Sequence, residues 1–461
     1  MGLITGGAFI SLQSNAFSKL TRDKTIKGTV TDGRRGVANV VISDGYSVVV
    51  TDAKGNYTIT TDDKATNIFM STPSGYEFKT DYNITRQYEI LGSRNEYNFK
   101  LKALKTNDKK HSFIIWADPQ VKSKKDVKQM MDTAVPDVKQ LVQSMGPDAL
   151  VHGICVGDIV WDNHALFPDY NQAVAEMGIP FFQALGNHDM DYRMGDDETS
   201  DKTFKEVFGP TYYSFNRGKA HYVVLDDVRY LGSERLYDGY ISENQLSWLA
   251  KDLKYVAKDQ LVVISVHIPI HNSVKNNAEF YAVLEGYKNV HIMSGHTHYN
   301  LNKMTNGIYE HNHGTVCGAW WTGPICEDGT PRGYGVYEVN GTELSWYYKS
   351  TGFDKTKQVS LFVEELTNQK RVIANVWNWD PEWKVECFLD DKSMGALEQQ
   401  KGFDPLAVQL YKGEKMPVTR SFAEPKKMDH LFMAHFSPSV KNIKVIATDR
   451  FGEKYTVSLD A

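Results

Sequence analysis

The sequence predicts an α/β (α+β) core of four layers, a β-sandwich with flanking helices, set between two all-β sandwiches. Three observations predict it. Both ends of the chain carry short strand-like runs broken by turn chemistry, the middle alternates apolar strands with helical patterns, and a polar linker at residues 105–110 marks one change of texture. The 461 residues exceed one ordinary domain and suffice for several cores. A formal charge of −5, with 41% apolar and 24% charged residues, excludes collagen-like, disordered and membrane-bundle classes. The slight acidic excess also argues against a nucleic-acid partner, which calls for a basic surplus. Four cysteines, Cys155, Cys317, Cys326 and Cys387, are too scattered for a disulfide scaffold or a thiolate zinc module.

Residues 1–24 hold an apolar run at 2–12, followed by Ser14-Asn15-Ala16, the small-x-small pattern that signal peptidases cut. The basic n-region is missing, so the segment reads as a truncated export signal or an apolar tail. On the first reading the protein is exported, periplasmic or at the cell surface; on the second it stays in the cytoplasm. The run is far too short to span a bilayer. Export would permit a Cys317–Cys326 bridge, which nothing in the sequence requires.

Residues 25–104 read as a small β-sandwich. Residues 25–31 alternate, Asp32-Gly33 is a hairpin signal, and two strand-like runs at 48–51 and 57–60 flank Asp52-Ala53-Lys54-Gly55-Asn56. In residues 110–353 the strands fall at 113–117, 150–156, 180–185, 221–225, 261–266 and 290–293. Ser242 with Gln245 opens an amphipathic helix over 245–256, a second helix is expected over 277–284, and residues 189–214 read as an ordered loop. Residues 354–461 return to strands at 359–363, 372–377, 385–389 and 444–448, a second sandwich. Asn340-Gly341-Thr342 meets the glycosylation triplet but is sufficiently explained as a hairpin turn.

The chemistry sits in the middle block. Asp118-Pro119-Gln120, Gly157-Asp158 with Asp162, Gly186-Asn187-His188-Asp189, His267, and Gly295-His296-Thr297-His298 each fall just past the end of an expected strand. In open α/β sheets the loops beyond the strand carboxyl ends converge on one crevice. Carboxylates, imidazoles and an amide oxygen without thiols suit hard or borderline ions such as Mn, Fe, Zn or Mg. Six or seven ligands are more than one ion needs and suit two, sharing a hydroxide and clamping both oxygens of a phosphoryl transfer.

In order and spacing these motifs resemble the calcineurin-like metallophosphoesterases over about 230 residues, and residues 50–57 resemble the transthyretin-like domains. The first resemblance implies Asp118, Gln120, Asp158 and His298 on one metal, and Asp158, Asn187, His267 and His296 on the other, with Asp158 bridging. It gives His188 the protonation of the leaving oxygen, oriented by Asp162 or Asp189. Asn187 is also a substrate contact, and Arg332 a candidate to grip a phosphate. Gln120 stands where the family usually has His, a weaker ligand. The same Asp-Pro-Gln occurs in a branch of protein phosphatases with a calcineurin-like domain, so it does not imply inactivation. Trp161 stands where other branches place a metal-binding Tyr or the Asp that partners the catalytic His.

The resemblance therefore implies hydrolysis of a phosphate ester by a hydroxide bridging two metals, with a phosphomonoesterase first. A phosphodiesterase or pyrophosphohydrolase acting on a nucleotide or lipid is the alternative within the class, and a non-catalytic surface scaffold the alternative outside it. Outside the motifs, His152, His221 and His291 lie in apolar strands and read as packed, as does His271, while Trp320-Trp321 are candidates to wall the site.

Overall fold

A computed structural model describes residues 24–412 and 422–460. The apolar run and cut-site pattern near the N-terminus lie outside the described residues. Two sheets build the core. The seven-stranded one runs Glu343–Ser350, Gly333–Asn340, Lys110–Trp116, Val151–Cys155, Phe181–Gln183, Ile84–Thr85, Thr80–Asp81; its three central strands are parallel. The six-stranded one runs Tyr213–Arg217, Ala220–Val224, Leu261–Ser265, Asn289–Ser294, Ile308–Asn312, Leu301–Thr305, again with a parallel centre. The sheets face each other through aromatic side chains: Phe182 stacks on Phe215 at 3.6 Å between centroids, and Phe113 meets Tyr222 edge-on at 5.4 Å. Strands buried on both faces read as continuous apolar runs, which is why the sequence displays them plainly.

Helices Lys124–Asp132, Ala134–Ser144, Phe167–Met177 and Glu243–Asp252 complete the layers. The first is opened by a capping box in which the Ser123 hydroxyl accepts from the Asp126 amide while Asp126 accepts from Ser123. The stretch 189–214, expected as a loop, contains the helices Asp197–Ser200 and Lys202–Phe208. The side chain of Asp196 caps the first of them, a signal that the polar texture of the segment hides.

Two sheets make up the N-terminal sandwich: Asn56–Thr61, Lys24–Thr31, Phe99–Lys100, and Val48–Val50, Val41–Ser43, Asn67–Met70, Tyr88–Ile90. The turn at Asp52 does not close a hairpin; it carries the chain from one sheet to the other, Asp52 accepting the amides of Lys54 and Asn56. Residues 80–85 leave this unit and pair on the edge of the seven-stranded sheet, Ile84 opposite Phe181. The C-terminal part packs two four-stranded sheets around Val372, Val385, Ile443 and Val445. Asn340 faces Glu343 across the two-residue turn Gly341-Thr342, as the hairpin reading requires. All four cysteines are buried and free, so no Cys317–Cys326 bridge is present. No helix among the described residues is long and apolar enough to cross a membrane.

Of the histidines read as packed, His152 and His221 are buried, and His271 and His291 are half-buried. His221 pairs with Asp252 at 2.9 Å, His271 with Glu310 at 3.0 Å, and His291 with His311 at 3.0 Å. His152 is boxed by Phe78, Phe113, Phe182, Phe215 and Tyr222, with no hydrogen-bond partner on either nitrogen. Burial, reinforced by the Arg217 charge, holds its pKa well below 6.5. The folded chain therefore keeps His152 neutral while the unfolded chain protonates below about pH 6.5, so this residue costs stability as pH falls. A His152→Leu variant is expected to gain on the parent by about 1.4 kcal/mol between pH 7.5 and 5.5, beyond any constant offset from repacking. Denaturant unfolding of both proteins at the two pH values measures this, and a gap that does not move with pH contradicts it.

Candidate metal centre

Every motif loop sits at the carboxyl end of a core strand. Asp118 and Gln120 follow Lys110–Trp116, Asp158 follows Val151–Cys155, Asn187 follows Phe181–Gln183, His267 follows Leu261–Ser265, and His296 and His298 follow Asn289–Ser294. Two small residues let these loops meet. A Cβ on Gly186 would lie 2.0 Å from the Asp158 amide nitrogen, and one on Gly295 would lie 2.7 Å from the Asp118 carboxylate. Asp118, Gln120, Asp158, His296 and His298 all adopt left-handed backbone, with φ between 41° and 69°. That conformation is unfavourable for side-chain-bearing residues and collects at sites where geometry outranks stability.

All seven expected ligands come together, and all but His296, which is half-buried, are buried. His267 Nε2 lies 3.4 Å from Asp158 Oδ1, 3.1 Å from Asn187 Oδ1 and 3.2 Å from His296 Nδ1. Gln120 Nε2 donates to Asp158 Oδ2 at 3.2 Å, and His298 Nε2 lies 3.5 Å from Asp118 Oδ1. Outer contacts hold the ligands in place: the His296 amide donates to Asp118 Oδ2, His267 Nδ1 bonds the Val156 carbonyl at 2.8 Å, and Asp227 accepts the His267 and Ile268 amides. Trp320 stacks on His298 at 4.4 Å, and Trp321 donates to the Pro119 carbonyl at 2.7 Å, so this pair does wall the site.

Burial alone would raise the pKa of Asp158, but the charges of His267 and His188 outweigh it and hold the group ionised. His296 is pushed down to about 4 by burial and by His267. Asp118 Oδ1 and Gln120 Oε1 are buried oxygens without a hydrogen-bond donor. Paired carboxylates, a His296 imidazole that burial keeps unprotonated, and orphaned oxygens together fit cations. Asp158, His267 and His296 by themselves present ligand atoms all within 4.8 Å of one another.

His188 stands at the edge of this cluster. Its amide donates to Asp158 Oδ1 at 2.8 Å, and its Nδ1 bonds Asp162 Oδ1 at 2.7 Å. A carboxylate only accepts, so Nδ1 carries the proton toward Asp162 and Nε2 is left for other work. Burial opposes the charged imidazole, but the Asp158 and Asp162 charges prevail and raise the pKa of His188. Left-handed backbone at Asp162, together with its amide bond to the His188 carbonyl, brings this carboxylate into the place that Trp161 cannot fill. Trp161 instead lays its ring 5.5 Å from the imidazole. Asp189 does not orient His188. It accepts the amides of Ile159, Val160 and Gly186, tying two motif loops together, and burial followed by the Asp158 charge raises its pKa to about 7.

Arg332 is half-buried against the Trp321 ring, 5.8 Å from its centroid, and forms no ion pair with any described residue. The arginine that does approach the centre is Arg235, whose guanidinium pairs with Asp162. It comes from the tip of the hairpin formed by Val228–Tyr230 and Tyr237–Gly239, and no sequence motif surrounds it.

The two-sheet core thus gathers carboxylates, imidazoles and an amide on one rim, a donor set that suits metal ions. Models of one family match successive parts of the chain: the N terminal of calcineurin-like phosphoesterase at residues 24–104, calcineurin-like phosphoesterase itself at 111–300, and the C terminal of calcineurin-like phosphoesterase at 310–455. The chain belongs to the calcineurin-like phosphoesterases, a family that binds a dimetal centre. Among solved structures, a dimetal phosphatase from Danio rerio is 16% identical, covering 52% of this chain and 97% of its own, with a TM-score of 0.39. PhoD is 10% identical, covering 76% of this chain and 84% of its own, with a TM-score of 0.40. The purple acid phosphatase PPD1 from yellow lupin (Lupinus luteus) seeds is 12% identical over 68% of this chain and 67% of its own, with a TM-score of 0.40. No curated protein matches this chain.

Proposed function

We propose that this protein is a phosphomonoesterase in which Asp118, Gln120, Asp158 and His298 hold one metal ion and Asp158, Asn187, His267 and His296 a second. Bound there, the two cations supply Lewis-acid neutralisation of the phosphate oxygens and lower the pKa of water. The observation that carries the reading is the Asp162–His188 pair, 2.7 Å apart and joined to Asp158 through the His188 amide. Asp162 fixes the ring and stabilises its charged form, so that Nε2–H can protonate the departing alkoxide as the P–O bond breaks. The Asn187 amide nitrogen is available to a phosphate oxygen while its Oδ1 faces His267.

The preference for a monoester rests on Asp-Pro-Gln at 118–120. It is tested by comparing p-nitrophenyl phosphate with bis(p-nitrophenyl) phosphate on metal-reconstituted protein, with elemental analysis of the same sample. At least a tenfold advantage for the monoester is expected, and a diester advantage overturns the preference. We place the catalytic domain at 110–353. The strand Glu343–Ser350 in the core sheet and Val359–Glu365 in a C-terminal sheet support that boundary.

A further inference from the structure

A cavity of about 580 Å³ opens beside the Asp162–His188 pair, with Asp162 on its wall. Its volume lies in the range, roughly 300–1,000 Å³, of sites that enclose small molecules. Two segments build it: residues 190–194, directly after the Asn187–Asp189 turn, and the Glu234-Arg235 hairpin tip. They are fixed to each other. The Arg193 amide donates to the Tyr230 hydroxyl at 2.8 Å, the Tyr192 and Tyr230 rings meet edge-on at 6.0 Å, and the Arg235 guanidinium lies 5.8 Å from the Tyr192 centroid. Arg193 and Glu234 both adopt left-handed backbone, with φ of 71° and 45°.

The lining carries both signs of charge, and most of it is already engaged. Asp162 serves His188 and Arg235, while Asp191 lies 3.3 Å from His164 and accepts from Thr203. The side chains of Arg193 and Glu234 have no ion pair or hydrogen bond among the described residues. A fork of donors and a pair of acceptors facing one chamber do not suit an alkyl chain, and their opposite charges do not favour a strongly ionic group. Vicinal hydroxyls, each able to donate and accept, satisfy both. Asp162 joins the chamber to the catalytic pair: the same carboxylate lines the cavity and bonds His188 Nδ1.

Resting on the phosphomonoesterase reading, we infer that this cavity seats the leaving alcohol and that the alcohol is polyhydroxylated, a sugar or polyol, held by Arg193 and Glu234. The decisive comparison is glucose 6-phosphate against hexyl phosphate, both primary-alcohol monoesters of equal charge that differ in hydroxyls and ring. Met194, Leu231 and Leu236 stand exposed nearby, which makes the hexyl chain a demanding rival. The ratio of kcat/KM values is expected to favour the sugar ester at least tenfold, and to fall to within about twofold in an Arg193→Ala, Glu234→Ala double variant. A ratio near one or favouring hexyl phosphate in the parent, or an unchanged ratio in the variant, overturns the inference. If neither ester is hydrolysed, the phosphomonoesterase reading fails separately. Calorimetric affinities of the two esters then decide the pocket: a tenfold difference lost in the double variant upholds it, and equal affinities overturn it.

Discussion

Asp158→Asn is expected to lower turnover by more than the roughly 10–100-fold typical of residues that merely support a ligand, while the protein stays folded. The amide keeps the shape of the carboxylate and can still accept from the His188 backbone, so local packing survives. Its charge does not. Asp158 accepts from Gln120 and pairs with His267, and after burial it is the leading influence on the pKa of each of His267 and His188. With that charge removed, a site that gathers cations loses its central anion, and His188 loses one of the charges that raise its pKa. Elemental analysis should show fewer ions per chain, and circular dichroism an unchanged melt. Parental turnover with full metal loading would remove Asp158 from the bridging position.

The second large effect is expected at His188. His188→Ala should cost roughly 10²–10⁴-fold, the usual worth of a positioned proton donor. The loss should depend on the substrate: an alkyl phosphate, whose alkoxide needs a proton as it departs, should suffer far more than p-nitrophenyl phosphate. Asp162→Asn should give a smaller loss of the same kind, because Nδ1–H keeps an acceptor but loses the charge that stabilises the imidazolium. Equal losses on alkyl and aryl esters would indicate that His188 positions the site without donating a proton.

Much of this centre could be read from the chain because its ligands ride on short motifs at strand ends. The strands themselves are buried on both faces, so Val151–Cys155, despite His152, and Leu261–Ser265 stand out and place Asp158 and His267 just past their ends. What could not be read lies where one-dimensional pattern carries no record of proximity. Asp162 reaches His188 only through a left-handed turn one residue after Trp161, and nothing in the local sequence distinguishes that conformation. Arg235 enters from an exposed hairpin tip that no motif surrounds, so its pairing with Asp162 left no mark in the sequence. The strands Leu301–Thr305 and Ile308–Asn312 are not legible because the first is partly exposed and polar, and the second buries Glu310, His311 and Asn312 through bonds to Ser294, His291 and Thr297, not through apolarity.

The short excursion of residues 80–85 ties the two ends of the architecture together. Ile84 is fully buried against Phe181, and the Asn83 carbonyl accepts the Phe181 amide at 2.8 Å. A protein trimmed to begin after the linker would lay bare the flank of Phe181–Gln183, whose backbone groups then solicit any passing strand. The amino-terminal unit thus acts as a built-in selvedge for the hydrolase sheet.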